Sequence, residues 1–515
     1  MSRRLMNRIR RIAAQQSGDP AASTWLLTRR EALKLGSLAL AGLALPRTGW
    51  TSAFATPPRI AIVGGGIAGM TAALTLQDRG VSSTIFEASG RIGGRMHSNH
   101  SFWQQGQTSE WCGEFVDTGH ILIRSMARRF GLTLVDVNAA SPPGSVDTNY
   151  FFESYYTDAE ITRDLLPVLA ILNQQAKQIG PTIFYNQYNA AGYQFDHLSG
   201  YDWIETYVPG GHSSRLGRYL DRALVSSCGL DTQELSSINL ILPTASDERF
   251  HIHNGNQQLP QAIARSLPAG SIRKGWRLTS IAANNTPSVT LRFDTGSGPQ
   301  EDTFDFVILA LPFSVLRKLD YSQAGFDELK QTAIQQIGYG TNSKLSLQFD
   351  DRYWNGRGPW PARGNGFAAT DLPAMGAWDS SRAETGSDGL LTNYTGGSIG
   401  AAFQPGDPYT TSHSSQKVRD YAQTLLAQFE QLWPGISAHY NGFATLSYPT
   451  GDPNRLGSYS AIKVGQYTSF FGYAKVPQNK IHFAGEHTSE AFLGFMEGGA
   501  GTGRRAAQEV LAALA

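Results

Sequence analysis

Hydrophobic and polar positions alternate along the chain in patterns that predict short strands and amphipathic helices. A short apolar run at residues 59–63 predicts a buried strand, and apolar positions three and four apart over 68–79 predict a helix. A second apolar run at 83–87 predicts the next strand. Strand, helix and strand in this order form the unit from which parallel sheets are built.

The rest of the chain changes from mainly helical to mainly extended and back. Residues 120–270 are predicted to be mostly helical, with helices at 121–130, 158–178 and 217–225. Strands are predicted at 276–281, 289–293, 304–310, 344–349 and 481–483, and helices at 420–432 and 503–514. No segment repeats at a fixed period, so we expect an α/β protein of two lobes, each built from separated segments.

The first 55 residues contain the three parts of an export signal. Arg29 and Arg30 precede an apolar stretch at 35–45, and a small-x-small pattern follows at 53–55. The paired arginines resemble the twin-arginine type of signal, which carries folded proteins. A frayed N-terminus with an accidental arginine pair is the alternative. We therefore expect residues 1–55 to be a signal peptide read by the twin-arginine export machinery, and the mature protein to be periplasmic or secreted.

Composition and charge exclude several classes of protein. Of the 515 residues, 41% are hydrophobic and 17% are charged, which fits large buried cores and argues against a disordered chain or a coiled coil. Two cysteines are too few for a disulfide scaffold, a four-cysteine zinc site or an iron–sulfur cluster, and we expect no metal. Residues 1–50 carry a net charge of +7 and the remainder −6, so we expect no nucleic-acid partner.

A glycine-rich loop between the first strand and the first helix carries the clearest chemistry. Gly64, Gly66 and Gly69 satisfy the pattern G-x-G-x-x-G. The first glycine permits a tight turn, the second lets a pyrophosphate approach the backbone, and the third lets the helix pack on the strand. Glu87 ends the second strand, where an acidic residue binds the hydroxyls of a ribose. Together these residues predict a dinucleotide site.

The sequence after Glu87 points to a flavin rather than a nicotinamide. Arg91 and Arg95 flank a glycine pair, Gly93-Gly94, which forms a second turn beside the phosphates. A solvated surface pair of arginines is the alternative. This stretch resembles the FAD-binding signature of the flavin amine oxidase superfamily, which includes monoamine oxidases, polyamine oxidases and L-amino-acid oxidases.

Further segments resemble that superfamily in the same order along residues 57–515. They are Trp111–Val116, Asn254–Leu259, Asp305–Pro312, Phe483–Glu486 and Gly494–Gly498. The resemblance implies FAD as the cofactor, and we expect it to be bound non-covalently because Ser458 stands where some monoamine oxidases carry an attached cysteine. It places the cofactor contacts at Gly64, Gly66, Ala68, Gly69, Glu87, Ala88, Arg91, Gly94, Arg95, Gly113, Glu114, Phe115, Leu278, Gly485, Glu486, Phe495 and Met496.

The resemblance also implies the catalytic groups. Lys344 lies in an otherwise apolar strand, where a charge must be paired or face a cavity, and it matches the family lysine that holds a water beside the flavin. Tyr459 and Phe495 match the two aromatic walls of the amine pocket. Glu486 is expected to accept hydrogen bonds from the ribityl hydroxyls. Two ordinary core aromatics and an outward-facing strand lysine are the alternatives.

The substrate class rests on fewer residues. Related L-amino-acid oxidases hold the substrate carboxylate with an arginine at the place of Val116, which Glu114 and Asp117 flank here. Acids at this place favour a cationic amine, although an arginine from elsewhere, such as Arg249, would restore carboxylate binding. We expect oxidation of an amine to an imine with reduction of oxygen to hydrogen peroxide.

Several alternatives to an amine oxidase remain open at this stage. They are an L-amino-acid oxidase, an amine dehydrogenase that passes electrons to a periplasmic carrier, a protein that binds FAD as a structural element, and a lipid isomerase or desaturase. Cys112 and Cys228 are expected to be structural thiols, with a disulfide between them as the alternative. The resemblance is also compatible with a homodimer.

The resemblance implies a Rossmann-like FAD-binding domain and a mixed α+β substrate domain, both discontinuous. The FAD-binding domain is expected to comprise residues 56–125, 271–330 and 446–515. The substrate domain is expected to comprise residues 126–270 and 331–445.

Overall fold

The computed structural model describes residues 57–243, 246–283 and 288–515. The predicted export signal at residues 1–55 lies outside these residues. In the described residues, no helix is both long and apolar enough to cross a membrane.

Strands are numbered here in chain order through the described residues. They are β1 Ile60–Val63, β2 Thr84–Glu87, β3 Ser98–Asn99, β4 Ser109–Glu110, β5 Leu134–Asp136, β6 Val146–Phe151, β7 Ser154–Tyr155, β8 Phe250–Ile252, β9 Ile272–Lys274, β10 Arg277–Ala283, β11 Val289–Thr295, β12 Gly298–Phe304, β13 Phe306–Leu309, β14 Asp320–Gln323, β15 Gly338–Tyr339, β16 Ser343–Phe349, β17 Gly364–Thr370, β18 Gly376–Asp379, β19 Gly389–Thr395, β20 Tyr409–Thr411, β21 Tyr440–Ser447, β22 Ser460–Ala461 and β23 Ile481–Phe483.

The α-helices of the described residues are numbered in the same way. They are α1 Ile67–Gln77, α2 Ile121–Arg129, α3 Asp158–Ile179, α4 Ala190–Asp196, α5 Gly200–Tyr207, α6 Arg215–Cys228, α7 Ile238–Ile241, α8 Gln258–Ser266, α9 Phe313–Leu316, α10 Glu328–Gln336, α11 Gly397–Ala401, α12 Gln416–Leu432, α13 Gln466–Ser469 and α14 Met496–Leu514. The expected elements are therefore present, with ends that differ by at most seven residues.

A parallel sheet carries the predicted strand–helix–strand unit. In the described residues its order is β23-β13-β1-β2-β9. All four residues of β1 are buried, because the strand is central and both faces of a parallel sheet are covered. The α/β fold is thus confirmed. The predicted strand 304–310 is instead two strands, since β12 ends at Phe304 and β13 begins at Phe306.

A second, mixed sheet is built from strands between residues 146 and 155 and between 343 and 447, in the order β20-β21-β16-β19-β18-β17-β6-β7. Strand β16 is central and all seven of its residues are buried. Polar and apolar side chains alternate along β16, although all of its residues are buried. Leu345, Leu347 and Phe349 enter a hydrophobic core on one face, which leaves Lys344 to the opposite face.

The last helix begins seven residues before the predicted start at 503. Glycines at its N-terminal end lower the intrinsic helix propensity there, so the sequence pattern does not predict the first turns of the helix. Packing requires them: a Cβ on Gly498 would lie 2.1 Å from the carbonyl oxygen of Phe492, and one on Gly503 would lie 2.0 Å from that of Ala68. Helix α14 therefore packs closely on α1, where its N-terminus reaches the glycine-rich loop.

The predicted domain boundary at residue 271 falls too late in the chain. Helix α8 packs in one core with β1 and α1 through Leu259 and Ile263. Ile123 and Met126 of α2 belong to the same core. The chain thus returns to the domain of the parallel sheet before residue 271. The apolar face of α8 is buried against α1 and not against the second sheet.

Candidate active site

One cavity of about 290 Å³ extends from the parallel sheet to the second sheet. Val63, Glu87, Ala310 and Gly485 line it, and each lies at or just beyond the carboxyl end of a parallel strand. This edge is where open α/β sheets bind their ligands. The predicted dinucleotide site therefore lies where the fold favours one.

The three glycines of the loop have different surroundings. Gly64 has a φ of +108°, and a Cβ there would lie 2.6 Å from the carbonyl oxygen of Ala310. A Cβ on Gly69 would lie 2.0 Å from the carbonyl oxygen of Gly64, so this glycine permits helix and strand to pack. The space beside Gly66 is open, since its nearest neighbour would be the Cα of Gly94 at 3.8 Å. Gly66 is thus the position where a phosphate can approach the backbone.

Glu87 joins the glycine loop to the end of β2. Its Oε2 accepts a hydrogen bond of 2.7 Å from the backbone of Gly65, and its Oε1 accepts bonds from the backbone and the hydroxyl of Ser89. The carboxylate is held on the cavity wall by three donors. An acid fixed in this way is placed to accept a hydrogen bond from a ribose hydroxyl.

A buried ion pair joins the two glycine motifs at opposite ends of the sequence. Nη1 of Arg95 lies 2.9 Å from Oε1 of Glu486. Burial alone would raise the pKa of Glu486, but the charge of Arg95 and the hydrogen bonds of Ser460 and Arg95 hold it below its ordinary value.

Glu486 also receives hydrogen bonds from both the backbone and the hydroxyl of Ser460, and from the backbone of Gly494. Four donors fill the acceptor positions of a carboxylate. Glu486 thus positions Arg95 and Gly494 and also lines the cavity, and its role as an acceptor for ribityl hydroxyls stays a prediction.

His487 provides a test of whether this cavity suits a polar cofactor. Its side chain lines the cavity and is 3% exposed, and neither ring nitrogen has a hydrogen-bond partner among the described residues. Burial, together with nearby cations, lowers its pKa to about 3, so the ring is neutral. A buried imidazole without partners is costly. The hydroxyls and phosphates of a dinucleotide would supply the missing partners, so the residues present fit such a group.

Lys344 lies in the same cavity, on the polar face of β16. Its Nζ donates to Oε2 of Glu114 at 2.9 Å, to the carbonyl oxygen of Cys112 at 2.7 Å and to that of Glu110 at 3.2 Å. Both side chains of the ion pair are less than a tenth exposed. The expectation that Lys344 is paired or faces a cavity is confirmed on both counts. All three of its hydrogens have protein acceptors, so a water bound to it would share one of them.

Aromatic side chains surround the end of the cavity near Lys344. Tyr459 donates to the carbonyl oxygen of Ser226 and accepts a hydrogen bond from Tyr394. The ring centroids of Trp378 and Tyr394 are 5.2 Å apart, and those of Trp378 and Phe115 are 5.6 Å apart. Together these rings form an apolar wall fixed by hydrogen bonds at its polar edges.

Seventeen of the nineteen different residues predicted for the site line this cavity. Gly69 and Arg91 do not. Gly69 packs helix on strand, as described above. The guanidinium of Arg91 donates to the carbonyl oxygens of Ile92 and Gly94, so it braces the second glycine turn from behind and does not reach the cavity.

The acids expected to attract a cationic substrate also need correction. Glu114 lines the cavity, but Lys344 neutralises it. Asp117 is buried against His120 and Ser246 and is not part of the lining, and Val116 pairs with Phe250 away from the cavity. Arg249, the expected substitute for a carboxylate-binding arginine, is bound to Asp136 at the surface. The charge argument from this segment therefore fails.

Cys112 and Cys228 are both free thiols, so the alternative of a disulfide between them does not hold.

Several cavity residues carry no motif that a sequence reading can find. They are Ser226, Arg277, Asn342, Phe367, Trp378, Tyr394, Ser447, Arg455 and His487. Most of them lie in or beside strands of the second sheet, where the cavity wall depends on which strands pair. His487 is the exception, because it directly follows the recognised Glu486.

A family profile described as flavin containing amine oxidoreductase matches residues 67–511. The chain belongs to this family. The enzyme is an FAD-dependent amine oxidoreductase, and FAD is its cofactor. The residues that would hold it are the glycine loop, Glu87, Arg95 and His487 on the cavity wall.

Relatives of known name are distant in sequence but similar over nearly the whole chain. An L-amino-acid oxidase of Vipera ammodytes ammodytes is 23% identical and covers 88% of this chain and 93% of its own. An L-amino acid dehydrogenase of Synechocystis is 25% identical over 88% of this chain and 94% of its own. The structure of cyclohexylamine oxidase from Brevibacterium oxydans superposes with a TM-score of 0.74, 19% identity, and coverage of 89% of this chain and 100% of the other.

Proposed function

We propose that this enzyme oxidises amines that carry no carboxylate beside the nitrogen, and that oxygen is the electron acceptor. When bound, FAD accepts a hydride equivalent from the carbon that carries the nitrogen. The chain's own residues bind the amine, orient that carbon and keep water away.

This proposal rests on the positions of the arginines that line the cavity. Of the arginines in the described residues, Arg95, Arg277 and Arg455 line it. Arg95 is paired with Glu486, and Arg455 is paired with Asp452 and bonded to the carbonyl oxygen of Gly94. Arg277 begins the strand that follows Trp276, whose backbone is bonded to that of Glu87. These three arginines thus lie beside the cofactor-binding segments, and none is placed among the aromatic rings to hold a substrate carboxylate.

The aromatic end of the cavity favours the neutral form of an amine. An ammonium ion loses hydration in an apolar site, and the nearby ion pair of Lys344 and Glu114 has no net charge to compensate it. The neutral amine has the lone pair that oxidation requires. Tyr394 and Tyr459 supply hydroxyl groups at the edge of the same wall, which can bind the nitrogen.

Lys344 supports oxygen as the acceptor. The pair that it forms with Glu114 has no net charge, but the ammonium of Lys344 itself lines the cavity, and a positive group there favours the negative charge that develops on oxygen as it accepts electrons. Its burial on β16 removes the water that would weaken this effect. A dehydrogenase that delivers electrons to a carrier has no need of such a charge.

Oxidation of L-amino acids is the second candidate, since two of the relatives described above carry names of that activity. A pair of compounds that differ only in the carboxylate separates the two. We expect phenethylamine to bleach the oxidised flavin anaerobically and L-phenylalanine to leave it yellow. Bleaching by L-phenylalanine alone would overturn the proposal in favour of the second candidate.

We further propose that the enzyme is exported in its folded state. Arg29 and Arg30, the apolar stretch after them and the small-x-small pattern at 53–55 support this. Export of a folded chain would allow FAD to be bound before the protein leaves the cytoplasm.

A further inference from the structure

A second, much smaller cavity lies beside Glu114, which also lines the main cavity. It measures about 10 Å³, which is about the space that one water molecule needs. Its wall includes four ionisable side chains: Glu110, Glu114, His251 and Glu384. A space of this size with so many groups that exchange protons is unusual inside a protein, where charged groups are normally paired one to one.

Glu114 belongs to the walls of both cavities. Its Oε2 accepts from Lys344, and its Oε1 accepts from Trp378 at 2.8 Å and from Ser380 at 2.9 Å. Trp378 lines the main cavity and Ser380 lines the small one. The carboxylate of Glu114 therefore connects the aromatic end of the main cavity to the small cavity.

Two other residues that line the small cavity, His251 and Glu384, face each other. Nε2 of His251 lies 3.8 Å from Oε1 of Glu384 and has no hydrogen-bond partner among the described residues. His251 is 8% exposed and lines the small cavity. A buried imidazole nitrogen without a partner, on the wall of a space of this size, points to a bound water molecule.

The protonation states suit groups that pass a proton. Burial lowers the pKa of His251, so the ring is neutral and has one acceptor nitrogen. Burial raises the pKa of Glu384, although the charges of His253 and Arg352 oppose this. Burial raises the pKa of Glu110 to about 8 against the opposing charge of Lys344 and its hydrogen bonds.

Three further titratable side chains act on His251 or Glu384: Arg382, Arg352 and His253. Arg382 also lowers the pKa of His251, and Arg352 donates to the carbonyl oxygen of Glu384. His253 acts electrostatically on both His251 and Glu384 and is exposed to solvent. Glu384 itself lies between the exposed residues Ala383 and Thr385, so the path from Glu114 reaches the protein surface beside Glu384.

The inference rests on the proposed function, which creates a demand for proton transfer. Most amines in water are ammonium ions. Before a hydride can leave the carbon, the nitrogen must lose a proton, so one proton is released for each pair of electrons given to the flavin. Reduction of oxygen to hydrogen peroxide by the reduced flavin consumes a proton again. The proton must cross a wall of aromatic side chains in each direction.

We propose that Glu114, the water-sized cavity, His251 and Glu384 form a proton path between the substrate cavity and the protein surface beside Glu384. Glu114 takes the proton from the substrate ammonium, and the proton then passes through a water in the small cavity to His251 and Glu384. No group is oxidised or reduced along the path, and each member returns to its starting state.

The experiment compares Glu384→Gln with the wild-type holoenzyme. Glutamine keeps the shape of the side chain but cannot carry the proton. Glu205→Gln is the matched control, because Glu205 is also bonded to a buried histidine, His212, at 2.6 Å, and neither residue lines the cavities. Flavin bleaching by phenethylamine is followed anaerobically in a stopped-flow instrument, together with proton release to a pH indicator.

Below the pKa of the amine, we expect Glu384→Gln to slow both bleaching and proton release by about 10²-fold, the effect typical of a lost proton-transfer group. Above that pKa the substrate arrives neutral, so the variant should match the wild type. Glu205→Gln should match it throughout. A loss of equal size at every pH indicates a structural role and overturns the proposal, as does the absence of any loss.

Binding without turnover gives a second readout. tert-Butylamine has no hydrogen on the carbon beside its nitrogen, so it cannot be oxidised. Its binding should release a proton promptly from the wild type and slowly from Glu384→Gln, and equal release would contradict the path. If neither amines nor amino acids bleach the flavin of the wild type, the proposed function fails. If phenethylamine bleaches the wild type and the variant equally, the proton path alone fails.

Discussion

Replacing Lys344 by methionine tests the buried ion pair between Lys344 and Glu114 on the wall of the main cavity. Methionine has a similar length but no charge, so the exchange leaves Glu114 without its cation. The carboxylate keeps its hydrogen bonds from Trp378 and Ser380, and its side chain is 7% exposed. Removing one partner of a buried pair typically costs about 3–5 kcal/mol, because the remaining charge stays buried.

An exposed pair with the same geometry gives the control. Lys463 lies 2.9 Å from Glu234, the distance found between Lys344 and Glu114, but these side chains are 39% and 44% exposed. Exposed pairs contribute about 0–1 kcal/mol, so Lys463→Met should be nearly neutral. The double variant Lys344→Met/Glu114→Gln should regain most of the lost stability, since neither buried side chain is then charged.

The assay is equilibrium unfolding in urea, followed on the protein with FAD and without it. Equal losses for Lys344→Met and Lys463→Met would refute the reasoning, as would a double variant no more stable than Lys344→Met. The same variants separate stability from catalysis. Lys344→Met should slow reoxidation of the flavin by oxygen about 10²–10³-fold, more than it slows reduction by the substrate, and the double variant should not recover this rate.

Four further outcomes are expected. Gly66→Val should fold but purify without FAD, because the side chain enters the open space beside Gly94; full FAD content measured by absorbance would contradict the placement. Flavin should leave the wild-type protein on denaturation with acid, since Ser458 cannot form a thioether; flavin retained on the precipitated chain would refute this. Arg29→Lys/Arg30→Lys should stop export, as judged by cell fractionation, and normal export would exclude a twin-arginine signal. The pKa of the Glu110 carboxyl rises from 4.5 to about 8 on folding, so the folded state binds the extra proton between these values. The wild type should therefore lose stability relative to Glu110→Gln as pH rises from about 5 to about 8, measured by urea unfolding, and parallel curves would contradict this.

Local patterns predicted the cofactor side of the cavity well, because contiguous motifs build it. Gly64, Gly66 and Glu87 lie within one strand–helix–strand unit, whose geometry follows from spacing alone. Lys344 was also predictable, since a lysine in an apolar strand must find a partner. Its partner, Glu114, is 230 residues away, and no spacing rule identifies such a contact.

The substrate side was predictable only in part. Trp378 and Tyr394 reach the cavity because β18 and β19 pair beside β16, a register that depends on the whole sheet. The argument from Asp117 failed for a local reason. Its closeness to Glu114 in the sequence did not reveal that the side chain of Asp117 turns away from the cavity towards His120. The start of α14 was missed since glycine has a low helix propensity, whereas close packing on α1 requires it there.

A single anaerobic experiment tests the central claim most directly. Purified enzyme with bound FAD is mixed with phenethylamine without oxygen, the flavin spectrum is recorded, and oxygen is then admitted. The flavin should lose its yellow colour with the amine and regain it with oxygen, forming one molecule of hydrogen peroxide for each flavin reoxidised. Flavin that stays oxidised with amines and amino acids alike would contradict the account, and reduced flavin that oxygen does not reoxidise would contradict oxygen as the acceptor.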